Sequence, residues 1–298
     1  MNFLIDAFIV GAQKAGTTSL LKYLSEHPDI AAHVQLEFTY FVPNKEKEEE
    51  FEDYISRCYS ADAATKKIRL AKYANAYVHE ACIANLKKHN PDCKLIFLLR
   101  DPVKRAFSAW SMGYGEGWIH DPFEQIFSEI KANENGTRSM WYEKIVRYGF
   151  YDESLKMIYR YFPPEQVCIV YFESLVKDPG QVSAQILEFL GLSQSEQIDY
   201  AKRHNETFDI SNKFLKKTFH WMKKESNPGK RFIRRILPYP AFLWMGRTIG
   251  SLFKGKAKVK HELLPDTKGK LYLFYKPHVQ ELKRLTGAEI NVWKEFSE

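Results

Sequence analysis

The stretch FIVGAQKAGTTSLLKYL, Phe8 to Leu24, constrains the fold more than any other part of the chain. An apolar run at Phe8 to Val10 meets Gly11. Gly16 is followed by Thr17, Thr18 and Ser19, and then by Leu20, Leu21 and Leu24 at helical spacing that must end before Pro28. The pattern predicts strand, glycine turn and helix. Such a turn aims several backbone N–H groups at one point, and the helix dipole adds partial positive charge there, so an oxyanion is the ligand class that fits. Gly11 and Gly16 permit the turn, the three hydroxyls add donors, and Lys14 contributes a mobile point charge. The ordinary phosphate loop, GxxxxGK[ST], places its lysine directly after the last glycine, whereas Gly16 is followed here by Thr17. A P-loop kinase or NTPase, the alternative enzyme, needs that arrangement together with magnesium ligands.

Two further units repeat the theme. CKLIFLLR, Cys93 to Arg100, is the continuous apolar run of a buried parallel strand, and DPVKRAFSAW follows with Asp101 placed to cap a helix and Pro102 at its first position. Val103, Ala106, Phe107 and Trp110 then fall on one apolar face. VCIVYF, Val167 to Phe172, is a third strand, and the helix through Val182, Ile186, Leu187 and Leu190 closes at Gly191. Units of this kind assemble into an α/β fold, a single domain over residues 1–298 with a central parallel sheet flanked by helices. Arg100 ends its strand where open parallel sheets place ligands, and Ser108 lies two helical turns beyond Asp101, opposite the apolar stripe.

Lys and Arg exceed Asp and Glu, 44 to 37, giving a net charge of +7 that suits anionic partners. Nine basic residues crowd Lys213 to Arg235 against the single acid Glu225, which reads as a lid or surface arm. Phe214, Phe219 and Trp221 interleave with these bases, the pattern of a nucleic-acid surface, but no nucleic-acid fold accompanies them and no nucleic-acid partner is expected. The aromatic run at 236–253 is broken by Pro238, Pro240 and Arg247, which suits a packed lid helix or peripheral membrane contact better than a membrane span. Cys58, Cys82, Cys93 and Cys168 form no CxxC pair, so reduced buried thiols are expected. The opening MNFLIDAFIV reads as a strand and not as a leader, so a cytoplasmic location follows by default.

Taken together, GAQKAGTTSL and LLRDPVKRAFSAW resemble the 5′-phosphosulfate loop and the 3′-phosphate segment of sulfotransferases that use PAPS, 3′-phosphoadenosine 5′-phosphosulfate. The likeness continues through YFESLVKDP, LEFLGL, RHNETF and LYLFYKPHVQELKRLTGAEINVW, and is greatest toward bacterial and heparan-type carbohydrate sulfotransferases. It implies a P-loop-like sulfotransferase fold and transfer of a sulfuryl group from PAPS to a hydroxyl or amine of a glycan or glycolipid, with release of 3′,5′-ADP and no metal. By the resemblance Lys14 stabilises the departing nucleotide. Ala15, Gly16, Thr17, Thr18 and Ser19 hold the 5′-phosphate, and Arg100 and Ser108 read the 3′-phosphate. On that assignment the loss of Arg100 spares 5′-AMP binding. Lys230 and Arg231, after the turn NPG, belong to a loop closing over the donor, within a basic lid or acceptor-cleft insertion at about 209–262.

HVQLEFTYF, His33 to Phe41, matches the family's segment that carries the acceptor base, which places Glu37 in that role. His33 is the second candidate because its reference pKa suits a base near neutrality. The lysine that precedes the family's glutamate is Leu36 here. In AKYANAYVHE, only Tyr77 and Lys72 match the substrate-side pattern.

Overall fold

The computed structural model describes residues 3–43, 49–132, 140–200 and 261–296, with backbone alone for 128–132 and 140–142. Contacts divide the chain into two units, Met1–Ala106 with Arg138–Asn205 and Pro265–Glu298, and Phe107–Thr137 with Glu206–Leu264. Lys230, Arg231, the basic arm from Lys213 to Arg235 and the aromatic run at 236–253 lie outside the described residues.

The first unit is built on a parallel sheet of β1 (Ala7–Gly11), β2 (Ile30–Ala32), β3 (Ile68–Lys72), β4 (Lys94–Leu99) and β5 (Val167–Tyr171), in the order β2-β3-β1-β4-β5. Phe8 sits opposite Ala71 on one side and Leu95 on the other, and Ile96 opposite Cys168. All of β1 and the apolar run of β4 are buried, as strands covered on both faces must be. Both follow the sequence reading, and the fold class is α/β.

β2 and β3 carry no strong sequence signal. β2 spans three residues, and β3 reads IRLAK, where two cations interrupt the apolar run. Each cation has a partner. Arg69 forms a bidentate pair with Asp6 at 2.6 and 2.7 Å, and Lys72 turns inward toward the site described below.

The chain leaves β1 toward β2 and β3 on one side and later returns to β4 on the other. The carboxyl ends of β1 and β4 therefore flank the point where strand order reverses, and open parallel sheets leave a ligand crevice there.

Among the described residues the helices are α1 (Thr17–Ser25), α2 (Phe51–Cys58), α3 (Glu80–His89), α4 (Pro102–Gly115), α5 (Phe123–Ala132), α6 (Met140–Ile145), α7 (Tyr151–Tyr159), α8 (Phe172–Lys177), α9 (Pro179–Leu190) and α10 (Pro265–Thr286). α1 buries Leu20, Leu21 and Leu24, each contributing about 1.5–3 kcal/mol of apolar transfer. α4 starts as its sequence demands, with Asp101 Oδ1 accepting from the N–H groups of Val103 at 2.9 Å and Lys104 at 3.0 Å. α9 ends at Gly191 in the left-handed region, φ 79°.

α10 packs on α7. The Tyr275 hydroxyl donates to the Val146 carbonyl, and His278 stacks on Phe150 while meeting Asp152 at 2.9 Å. Beyond α10 the indole of the fully buried Trp293 donates to Glu173 at 2.9 Å. All four cysteines are buried and free.

In the second unit Trp110 packs on Phe107 and Phe123 and donates its indole N–H to the Asp121 carbonyl at 3.0 Å. No helix among the described residues is long and apolar enough to cross a membrane.

Candidate active site

The loop between β1 and α1 carries the anion-binding geometry that its sequence promises. Lys14 is a non-glycine residue with φ 71° and Gly16 has φ 88°, so two left-handed residues alternate along the turn. Such alternation gathers amide groups into an anion-binding concavity. Gly16 caps α1 without a side chain, and no acid stands in the first helical turn to offset its positive end. The Ala15 N–H closes the turn on the Ala12 carbonyl at 3.0 Å, and the Ala12 N–H anchors the loop to Leu98 of β4 at 2.7 Å.

Two glycines are demanded by close approach. A Cβ on Gly11 would lie 2.3 Å from Cδ1 of the buried Tyr77, and one on Gly16 would lie 3.0 Å from the Phe172 ring. Tyr77 thus shapes the floor of the loop, with its hydroxyl donating to the Tyr148 carbonyl at 2.8 Å.

Arg100 leaves β4 directly beside this loop. Its Nη1 donates to the Lys14 carbonyl at 2.8 Å, its guanidinium carbon lies 4.6 Å from the centroid of the Phe172 ring, and its Nε is buried without a hydrogen-bond partner. The Arg100 carbonyl is itself held by the Tyr151 hydroxyl at 2.9 Å. Burial pulls the guanidinium below its ordinary pKa, opposed by the nearby Glu173 carboxylate. A buried cation with an unpartnered donor is what an incoming phosphate can satisfy, so the residues present fit a nucleotide carrying a second phosphate. Ser108, on α4, belongs to the second unit.

On the other side of β1 lies the acid. Lys72, at the carboxyl end of β3 and fully buried, donates from Nζ to Glu37 Oε1 at 2.7 Å and reaches Thr18 Oγ1 at 3.5 Å. Glu37 Oε2 accepts from the Ala74 N–H at 2.8 Å. Lys72 therefore ties the carboxylate to the first turn of α1. Two of the carboxylate's four lone-pair positions remain for an acceptor proton.

The sequence matched Lys72 to a substrate-side pattern without assigning it this link. The signal available was a lysine at the end of IRLAK, inside the one substrate-side segment that the resemblance matched. Val34 and Leu36, on the same segment as Glu37, are 53% and 75% exposed.

His33 is 4% exposed, neither of its ring nitrogens has a hydrogen-bond partner, and burial together with the Lys72 charge pushes its pKa down to about 3. It is a weaker base than the sequence reading assumed, which favours Glu37.

A pH effect follows. In the unfolded chain His33 titrates near 6.5, so between about 6.5 and about 3 the unfolded state binds the proton that the folded state refuses. Stability should therefore fall as pH drops through that window, by at most about 1.4 kcal/mol per pH unit from this residue. Chemical denaturation at pH 7, 6 and 5 should give a shallower slope for His33→Leu. An unchanged slope would show that His33 does not set it.

The family model of the sulfotransferase domain matches residues 4–237. The chain is 30% identical over 191 residues to human heparan sulfate glucosamine 3-O-sulfotransferase 3B1, covering 63% of this chain and 46% of that protein. It is 27% identical over 286 residues to the mouse 3B1 protein, covering 95% of this chain and 64% of that one. It thus spans between about half and two thirds of the length of these relatives. Among solved structures, a sulfotransferase from Alicyclobacillus acidocaldarius superposes with a TM-score of 0.62 at 21% identity, covering 98% of this chain and all of that one.

Proposed function

Because the chain belongs to the sulfotransferase domain family, we propose that it moves a sulfuryl group from PAPS to a hydroxyl or amine of a glycan or glycolipid. One observation carries the reading: Lys72 contacts both Glu37 and Thr18, which sets a carboxylate base beside the first turn of a phosphate-holding loop. PAPS supplies the sulfuryl group and departs as 3′,5′-ADP.

The chain's own residues divide the work. Gly16, Thr17, Thr18 and Ser19 hold the 5′-phosphate at the start of α1, and Arg100 takes the 3′-phosphate. Lys14 places its ammonium where negative charge gathers on the leaving side, and Glu37 receives the acceptor proton.

The names of the curated relatives favour a carbohydrate acceptor. Exposed Leu36 stands where the family has a lysine before its glutamate, and together with exposed Val34 on the same segment it suits an acceptor with an apolar portion, such as a glycolipid reached from a membrane surface.

Calorimetry tests the donor half directly. The protein should bind 3′,5′-ADP at least tenfold more tightly than 5′-AMP, through charge-assisted bonds to the second phosphate, and without magnesium. Equal affinity for the two, or a preference for ATP with magnesium, would remove the assignment and favour a kinase or NTPase.

A further inference from the structure

Arg100 makes a contact that reading a 3′-phosphate does not require. Its Nη1 donates to the main-chain carbonyl of Lys14 at 2.8 Å, across a sequence separation of 86 residues. Lys14 is the one non-glycine described residue with positive φ, 71°, a conformation that costs an L-residue roughly 1–2 kcal/mol and persists only where its surroundings impose it.

The surroundings are particular. The Arg100 carbonyl is fixed by the Tyr151 hydroxyl, and its guanidinium lies over Phe172, whose ring blocks any side chain at Gly16. The arginine therefore spans the loop from Lys14 toward Gly16, braced from below by two aromatic residues. Its Nε remains buried and unpartnered.

We propose that Arg100 is a positioning residue for Lys14: one guanidinium holds the Lys14 backbone in its left-handed turn through Nη1 and keeps Nε available for the second phosphate of the nucleotide. The two ends of the donor site are then linked by a single side chain. A nucleotide that engages Arg100 tightens the same group that aims the catalytic lysine, so recognition of the 3′-phosphate contributes to turnover as well as to affinity. The link rests on the sulfotransferase reading only for the identity of the nucleotide, since the hold on Lys14 exists in the chain alone.

The test uses Arg100→Met, which keeps an unbranched side chain as far as the Nε position but lacks the guanidinium and donates no hydrogen bond. In the nucleotide-free protein, hydrogen exchange of the amides at residues 12–18 should rise about tenfold relative to wild type, the loss expected for one charge-assisted bond. Affinity for 5′-AMP, which has no 3′-phosphate, should fall by a similar factor, whereas an arginine that only reads the 3′-phosphate leaves 5′-AMP unchanged. Arg100→Lys, which can still donate to the carbonyl, should restore most of the loop protection without restoring the preference for 3′,5′-ADP.

In a double-mutant cycle, Arg100→Met should cost much less turnover in the Lys14→Ala background than in wild type. Loop exchange and 5′-AMP affinity both unchanged in Arg100→Met, or strictly additive losses in the cycle, would overturn the proposal. A wild-type protein that fails to prefer 3′,5′-ADP defeats the functional reading instead, and the exchange result still decides whether Arg100 holds the loop.

Discussion

Lys14→Ala should depress sulfuryl transfer about a hundred- to a thousandfold with every acceptor, the loss that follows removal of one preorganised charge or donor from a developing anion. Alanine meets nearly the same backbone cost as lysine at φ 71°, so the turn itself should survive the change. Affinity for 3′,5′-ADP should fall less than turnover, because the ammonium interacts most strongly with charge that appears only as the nucleotide departs. Single-turnover transfer at saturating PAPS, set beside calorimetry with 3′,5′-ADP, separates the two quantities. Equal losses in both would make Lys14 an ordinary binding residue, and unaltered turnover would take it out of the chemistry.

Glu37→Gln should cost roughly 10²- to 10⁴-fold in transfer to a hydroxyl, the usual range for losing a general base, and much less with an acceptor amine that is already neutral at the assay pH. The structure adds a second consequence. Glutamine can still accept from the Ala74 N–H, but it leaves the fully buried Lys72 without its carboxylate. Breaking a buried pair costs about 3–5 kcal/mol, and the lower end applies because the Glu37 side chain is 29% exposed.

The variant should therefore melt earlier than wild type while still binding 3′,5′-ADP once folded. Adding Lys72→Met should recover part of the stability and none of the turnover. If that double variant regained activity along with stability, the loss in Glu37→Gln would be one of folding, and the base would have to be sought elsewhere.

Much of this architecture was legible in the sequence because the deciding signals are local. β1, β4 and β5 are continuous apolar runs, Asp101 and Pro102 announce α4, and Gly191 closes α9; each depends on residues adjacent in the chain. The glycine turn between β1 and α1 was legible for the same reason. What escaped depends on pairs far apart in sequence. β3 looks too polar to be a buried strand until Arg69 is set against Asp6 and Lys72 against Glu37, 63 and 35 residues away. His33 looks like an available base until the fold encloses it. Arg100 was placed at a ligand-binding strand end from its position and given the 3′-phosphate by the family resemblance, but its hold on Lys14 could not be read from either segment alone.

Trp293 reaches the same corner across a sequence separation of 120 residues. Its indole donates to one oxygen of Glu173, and the other oxygen accepts from the Asp101 N–H, the amide next to Arg100. The brace therefore joins residues 101, 173 and 293, which come from three separate segments of the chain. Without the indole, Glu173 keeps its bond to the Asp101 N–H and loses its second donor. A change as distant as Trp293→Phe should thus be felt at the amide beside Arg100, so the carboxyl end of β4 answers to packing set far along the sequence.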